Sequence, residues 1–213
     1  MKTITFWYDP LSPFAYLAFE RLPQVLEGCS YLVEYRPVVF GALLGHWGNK
    51  GPAEIEPKRQ WTFRHVAWLA QQHGVPLHVP AQHPFSSLAL QRLALACAAP
   101  GQGPNRRVVE AVLRHVWVGG ADANDPVRLA ALAEQLAPTR DAASADVKEE
   151  LRANTDAAAA AGIFGVPTFE LDGRHFWGLD ALPMLRDALL GGEWFSGTGW
   201  DAATVAPPGL VRR

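Results

Sequence analysis

Near the N-terminus the sequence reads Phe6-Trp7-Tyr8-Asp9-Pro10-Leu11-Ser12-Pro13-Phe14-Ala15-Tyr16, an apolar strand pattern that breaks at Asp9-Pro10 and restarts as a helix. Ser12 takes the N-cap position and Pro13 the first helical position, where its missing N–H costs nothing. Free backbone N–H groups and the positive end of the helix dipole meet at such a terminus, so it favours an anion. A hydroxyl beside that anion stabilises it further. Ser12 is therefore the candidate active-site residue, although the same tripeptide also serves simply to start a helix. No motif positions a His-Asp pair to make it a serine nucleophile.

The second candidate stretch, Gly165-Val166-Pro167-Thr168-Phe169, lies far along the chain. An X-Pro bond in a tight loop can be cis at modest cost, which would turn the Val166 N–H and C=O outward toward the helix start at Ser12. An extended thiol peptide could then pair with that backbone as an added strand. An ordinary trans X-Pro before a strand is the competing reading of the same residues.

The bulk properties narrow the partners. A formal net charge of -2, with 19% charged and 49% hydrophobic residues, gives no electrostatic reason for nucleic acid or an anionic membrane. A small neutral or anionic ligand fits better. No apolar run approaches the ~20 residues of a membrane span, and Met1-Lys2-Thr3 runs straight into a strand, so the expected location is the cytoplasm. Cys29 and Cys97 form no CxxC and are expected as buried thiols. His73, His78 and His83 are separated by prolines and fall at a spacing that suits no helix face. They are expected in loops, and no metal site is expected.

The elements that would position these residues follow from periodicity. Residues 3–8 read as a strand, 13–26 as a helix ended by Gly28, and 31–40 as a second strand parallel to the first. Residues 41–57 are Gly- and Pro-rich and read as loop. Helices follow at 58–73, 85–98, from Val108 to Trp117, and from Asp125-Pro126 to Leu136. Another starts after Ser144 and runs through an alanine tract to a Gly162 stop. Asp172-Gly173 marks a tight hairpin turn, and 182–190 is a closing helix. Residues 191–213 read as a surface tail whose Trp194, Phe195 and Trp200 should pack on the body or on a second subunit.

The fold expected is α/β, a thioredoxin-like domain with a large all-helical insertion between its βαβ and αββα halves. The boundaries are 1–40 and 146–190 for the thioredoxin-like domain, 41–145 for the insertion and 191–213 for the tail.

The chain resembles the 2-hydroxychromene-2-carboxylate isomerases and the related kappa-class glutathione transferases. The resemblance rests on residues 6–18, on Gly48-Asn49-Lys50-Gly51-Pro52, on Lys58 ahead of Trp61, and on 117–126. Asn154-Thr155, residues 162–169 and Phe176-Trp177-Gly178-Leu179-Asp180 complete it. It implies glutathione as cofactor, with the serine hydroxyl at Ser12 donating to the glutathione sulfur where disulfide-exchanging relatives carry Cys-Pro-x-Cys. It also implies that Val166, in the loop with Pro167, pairs with the cysteinyl backbone. Asn49 and Lys58 would hold the glycyl end or line the adjoining substrate site, and Asp180 would receive the γ-glutamyl ammonium. Taken alone, Asp180 reads equally as the N-cap of the last helix.

The activity so implied is glutathione-dependent cis–trans isomerisation of 2-hydroxychromene-2-carboxylate and trans-o-hydroxybenzylidenepyruvate in aromatic degradation, in a cytoplasmic homodimer. Lys50 or Lys58 would hold the carboxylate of the small aromatic substrate. Trp7, Tyr8, Phe14 and Trp61 are candidates to wall its ring, or else belong to the core. The alternatives are a kappa-type transferase acting on other electrophiles and a non-catalytic glutathione-binding protein. Leu179 and Ala181 stand where the family has a polar residue and an Arg around the acid. Trp61 replaces a Tyr, and Ser86 or Ser87 an Asn.

Overall fold

A computed structural model describes residues 1–203. Strand β1 (Lys2–Tyr8) leads into helix α1 (Pro13–Val25) and strand β2 (Tyr31–Pro37). Helices α2 (Phe40–His46), α3 (Glu56–His73), α4 (Leu88–Ala96), α5 (Arg106–Trp117), α6 (Pro126–Leu136) and α7 (Ala145–Ala160) follow. The chain then returns as strands β3 (Thr168–Leu171) and β4 (Arg174–Trp177) and helix α8 (Leu182–Leu189), with short helices α9 (Glu193–Ser196) and α10 (Gly199–Ala202) after it.

The four strands lie in the order β2-β1-β3-β4. β1 is parallel to β2 and antiparallel to β3, and β3 and β4 form a hairpin. Asp172 and Gly173 both take positive φ at its turn, as Asp-Gly predicts. Successive side chains of β1 point to opposite faces. Ile4, Phe6 and Tyr8 therefore enter the main core with α1, α5 and α8, while Trp7 enters a second cluster with Leu43 of α2 and Ala158 of α7. Helices thus cover both faces. Phe6 of β1 and Phe169 of β3 stack at 4.7 Å across the sheet. Buried residues of α3, α4 and α5 share the main core with β1 and α1, so the helical block and the sheet bury one continuous apolar interior.

Several boundaries differ from the sequence expectation, each for a physical reason. β2 stops at Pro37 and α2 occupies a stretch expected as loop. Its two glycines disfavour a helix. Tertiary contacts override that preference: the Phe40 N–H donates to Asp9 Oδ2 at 2.9 Å, the Val39 N–H donates to Thr155 Oγ1 at 3.0 Å, and Leu43 is buried. The apolar helix α4 begins only after Ser87, whose Oγ accepts from Gln91. His73 is the last residue of α3 rather than a loop residue, whereas His78 and His83 lie in the connection to α4. Cys29 and Cys97 are free but only partly buried.

At the C-terminal end one reading changes and one holds. Asp180 is not the N-cap of α8; it sits inside a short 3₁₀ turn, Leu179–Ala181, and Ala181 takes the cap position. The aromatics of the tail pack on the body, one of the two places expected for them. Phe195 is buried, and it and Trp200 pack against Phe176 of β4. Residues 204–213 of the expected tail lie outside the described residues. Among the described residues, no helix is long and apolar enough to cross a membrane and no cluster of side chains could hold a metal.

Candidate active site

The loop 9–12 between β1 and α1 is gripped through its backbone. Asp9, fully buried, accepts the Leu11 N–H on Oδ1 at 2.8 Å and the Phe40 N–H on Oδ2. Trp117 Nε1–H, from the end of α5, donates to the Pro10 carbonyl at 2.9 Å. His83 Nε2 lies 3.0 Å from the Leu11 carbonyl, and because a carbonyl only accepts, that nitrogen carries the proton. The Ser12 N–H donates to the Asp9 carbonyl at 3.0 Å. Trp117 and His83 both come from the helical block, which thus positions the loop.

The electrostatics of these buried groups follow from their surroundings. Burial pushes the Asp9 carboxyl up, while hydrogen bonds from Leu11, Phe40, Ser87 and Gln91 pull it partly back. Burial is the larger effect. It also drives the His83 pKa below its ordinary value, opposed by the bond to Leu11, so the ring is neutral. Tyr8, fully buried next to Asp9, is raised for the same reason.

At the end of this loop Ser12 caps α1. Its Oγ accepts the Ala15 N–H at 3.2 Å, and its hydroxyl donates to the Val166 carbonyl at 3.3 Å. The Val166–Pro167 peptide is cis. The loop is anchored on either side of that bond: Thr168 Oγ1 donates to the Gly165 carbonyl at 2.7 Å, and the Gly178 N–H donates to the Pro167 carbonyl at 2.9 Å. The Val166 N–H has no partner among the described residues.

Beside this junction lies a cavity of about 500 Å³. Phe14, Arg21 and Val25 of α1 and His65, Leu69 and His73 of α3 form one side; Val166, Pro167, the stretch from Trp177 through Asp180, and Leu182 with Pro183 form the other. Its size falls in the ~300–1,000 Å³ range of small-molecule pockets. His65 is central to the α3 wall. Phe14 meets its ring edge-on at 5.9 Å, and Trp61 and Trp68 stack against it at 6.0 and 6.4 Å.

The residues expected from sequence divide into two groups. Ser12, Phe14, Val166, Pro167 and Asp180 come together at or beside this cavity, with Ser12 reaching it through the Val166 carbonyl. Asn49 and Lys50, after α2, and Lys58, in the first turn of α3, are exposed and do not line it. Lys58 lies two turns before His65 on the same stripe, roughly 10 Å along the helix. Trp61 is also outside the cavity and contributes through its stack on His65. Trp7 and Tyr8, candidates for the ring wall, are core residues instead.

The sequence reading missed His65, Leu69, His73, Arg21 and Trp177. The signal for the first three was their spacing of four along one helix, and Arg21 follows Phe14 by two turns. Gly178 is also part of the site. Its φ of 97° suits glycine, and a Cβ there would stand 2.5 Å from Asp180 Oδ1.

A family model described as DSBA-like thioredoxin domain matches residues 3–190. The chain belongs to this family. Within it, the sequence is 32% identical to the 2-hydroxychromene-2-carboxylate isomerase of Sphingobium xenophagum over 196 residues, covering 89% of this chain and 98% of that protein. It is 27% identical to glutathione S-transferase kappa 2 of Caenorhabditis elegans, covering 88% and 92%. A solved 2-hydroxychromene-2-carboxylate isomerase superposes with a TM-score of 0.78 at 26% identity, covering 89% of this chain and 95% of that one. This member of the DSBA-like thioredoxin family is accordingly an enzyme, of the isomerase or transferase kind. Ser12-Pro13-Phe14-Ala15 opens its first helix without a cysteine, so no protein dithiol can work there.

Proposed function

We propose that the protein is a glutathione-dependent cis–trans isomerase interconverting 2-hydroxychromene-2-carboxylate and trans-o-hydroxybenzylidenepyruvate in aromatic degradation. The observation that supports this most is the Ser12 hydroxyl at the α1 N-terminus, 3.3 Å from the Val166 carbonyl at the cavity wall. The named relatives supply the reaction class.

The residues fit a thiol peptide. An unpartnered Val166 N–H beside a cavity is what an extended peptide pairs with as an added strand. When bound, glutathione supplies a thiolate that adds to the conjugated alkene, permits rotation about the resulting single bond, and leaves. The Ser12 hydroxyl turns from the Val166 carbonyl to donate to that sulfur, while its oxygen goes on accepting the Ala15 N–H. A hydrogen bond to a charged group contributes about 1.5–3 kcal/mol, and a helix N-terminus about 0.3–1 kcal/mol. Together they lower a thiol pKa of about 8.5 by roughly 2 units, to near neutrality. Pro167 holds the paired backbone in place. Asp180 takes the γ-glutamyl ammonium, and Asn49 with Lys58 the glycyl end. Lys50, after α2, or Lys58, in the first turn of α3, meets the substrate carboxylate, and Phe14, with Trp61 stacked on His65, walls the ring. Two free cysteines suit a reducing compartment, the cytoplasm. The working assembly is a homodimer.

The test is isomerisation of the hydroxychromene with and without glutathione, beside conjugation of a chlorodinitrobenzene. Isomerisation that requires glutathione supports the reading. Conjugation without isomerisation would assign a kappa-type transferase instead, and undiminished isomerisation without glutathione would sink the mechanism.

A further inference from the structure

Three polar groups around the candidate cavity are uncompensated. Asp180 makes no ion pair or hydrogen bond among the described residues. Arg21, on the opposite side, donates only to the neutral amide of Gln24, and His73 has no polar partner. The contrast with a second cavity, between α5 and α6, is informative. Of the three arginines lining that one, Arg114 is held by Glu20 and Glu110 and Arg128 by the carbonyls of Asp122 and His115; Arg107 is unpaired among the described residues, but no unpaired carboxylate faces it across that cavity.

Arg21 and His73 share one end of their wall. Both line the cavity, and burial together with the Arg21 charge holds the His73 pKa below its ordinary value. His73 is thus a neutral donor beside a cation. Asp180 presents a carboxylate to the same cavity, over the bare backbone of Gly178. A cation with a neutral donor on one wall and an anion on the other complement a zwitterion. The polar end lies apart from Ser12: Arg21 is nine residues into the helix that Ser12 caps, roughly 13 Å along its axis, with its side chain tilted back toward Ser12.

We infer that Arg21 and His73 bind the α-carboxylate of the γ-glutamyl residue while Asp180 binds its ammonium, so that the cavity grips an α-amino-acid end and directs the thiol to Ser12. This rests on the glutathione reading and adds the cationic half of the recognition. It also accounts for Leu179 and Ala181 flanking Asp180: the neighbouring positions need supply no cation, because α1 does.

Calorimetric titration tests it with four ligands: glutathione, 4-aminobutyryl-cysteinylglycine, which lacks the α-carboxylate, glutaryl-cysteinylglycine, which lacks the ammonium, and γ-glutamyl methylamide. The wild type should bind both truncated peptides at least tenfold more weakly than glutathione. Arg21→Gln should lose about tenfold for glutathione and nothing further for 4-aminobutyryl-cysteinylglycine. Asp180→Asn should show the mirror pattern with glutaryl-cysteinylglycine. Equal binding of glutathione by wild type and Arg21→Gln, or equal loss for all ligands, overturns the assignment. Wild-type binding of γ-glutamyl methylamide without glutathione binding would keep the zwitterion site and remove the glutathione reading; binding of neither removes both.

Discussion

The Ser12 hydroxyl and the Val166 carbonyl, 154 positions apart in the chain, meet at 3.3 Å. That contact joins the first helix start to the loop before the hairpin, and the chemistry proposed for the protein follows from it. Replacing Ser12 by Ala removes both the donor to sulfur and the acceptor of the Ala15 N–H. Glutathione-dependent turnover should fall by about 10² or more. Stability should fall by only about 1 kcal/mol, the usual value of an N-cap. The thiolate absorbance of bound glutathione, followed against pH, should show the thiol pKa rising. A variant that keeps full turnover refutes the role.

Asp9 carries a structural rather than a chemical load. Its two oxygens take the N–H groups of Leu11 and Phe40, so Asp9→Ala leaves two donors unpaired in a dry interior. At about 1–3 kcal/mol each, the expected loss is about 2–6 kcal/mol in denaturant unfolding. Asp9→Asn should lie between wild type and Asp9→Ala, because it keeps one acceptor and spares the buried charge.

His83 makes stability depend on pH. Its folded pKa lies below that of an unfolded histidine, so the unfolded chain binds the extra proton first. The contribution is therefore complete above about pH 6.5 and is lost as pH falls through that value toward the folded pKa. Protonation would also give the buried Nδ1, which has no partner, a proton with nothing to receive it. Urea midpoints measured from pH 7.5 to 5 should decline, and His83→Gln should flatten the slope. Part of the slope should persist, since burial also depresses His115.

Gly178→Ala should cost about 1 kcal/mol or more from its positive φ alone. It should also displace Asp180, whose Oδ1 would crowd the new Cβ. Glutathione affinity should therefore drop more than stability does, which calorimetry and thermal unfolding on one sample would separate.

The elements were readable where local signals agreed with the final packing. Ser12-Pro13, Asp125-Pro126, the Gly162 stop and Asp172-Gly173 each fell where expected, because caps and tight turns are decided by a few neighbouring residues. α2 was not readable, since its start depends on Asp9 and Thr155, remote in sequence. At the site, Phe14, Val166, Pro167 and Asp180, carried by short motifs, line the cavity, whereas Asn49 and Lys50, carried by another, stand outside it. His65, His73 and Arg21 were not readable, because which stripe of a helix faces a cavity is settled by the partner helix and not by the helix itself. Trp7 and Tyr8 show the converse: aromatic character named them, and alternation along β1 sent both inward.

The anchors on loop 9–12 have one more consequence. Trp117 and His83 grip the carbonyls of Pro10 and Leu11, and Asp9 grips main-chain N–H groups, so none of them touches the side chain at position 12. The grip on the loop backbone is thus separate from the two bonds that the Ser12 hydroxyl makes itself. A thiol at position 12 would inherit the same backbone placement, and only the hydroxyl's bonds to the Ala15 N–H and the Val166 carbonyl would be exchanged.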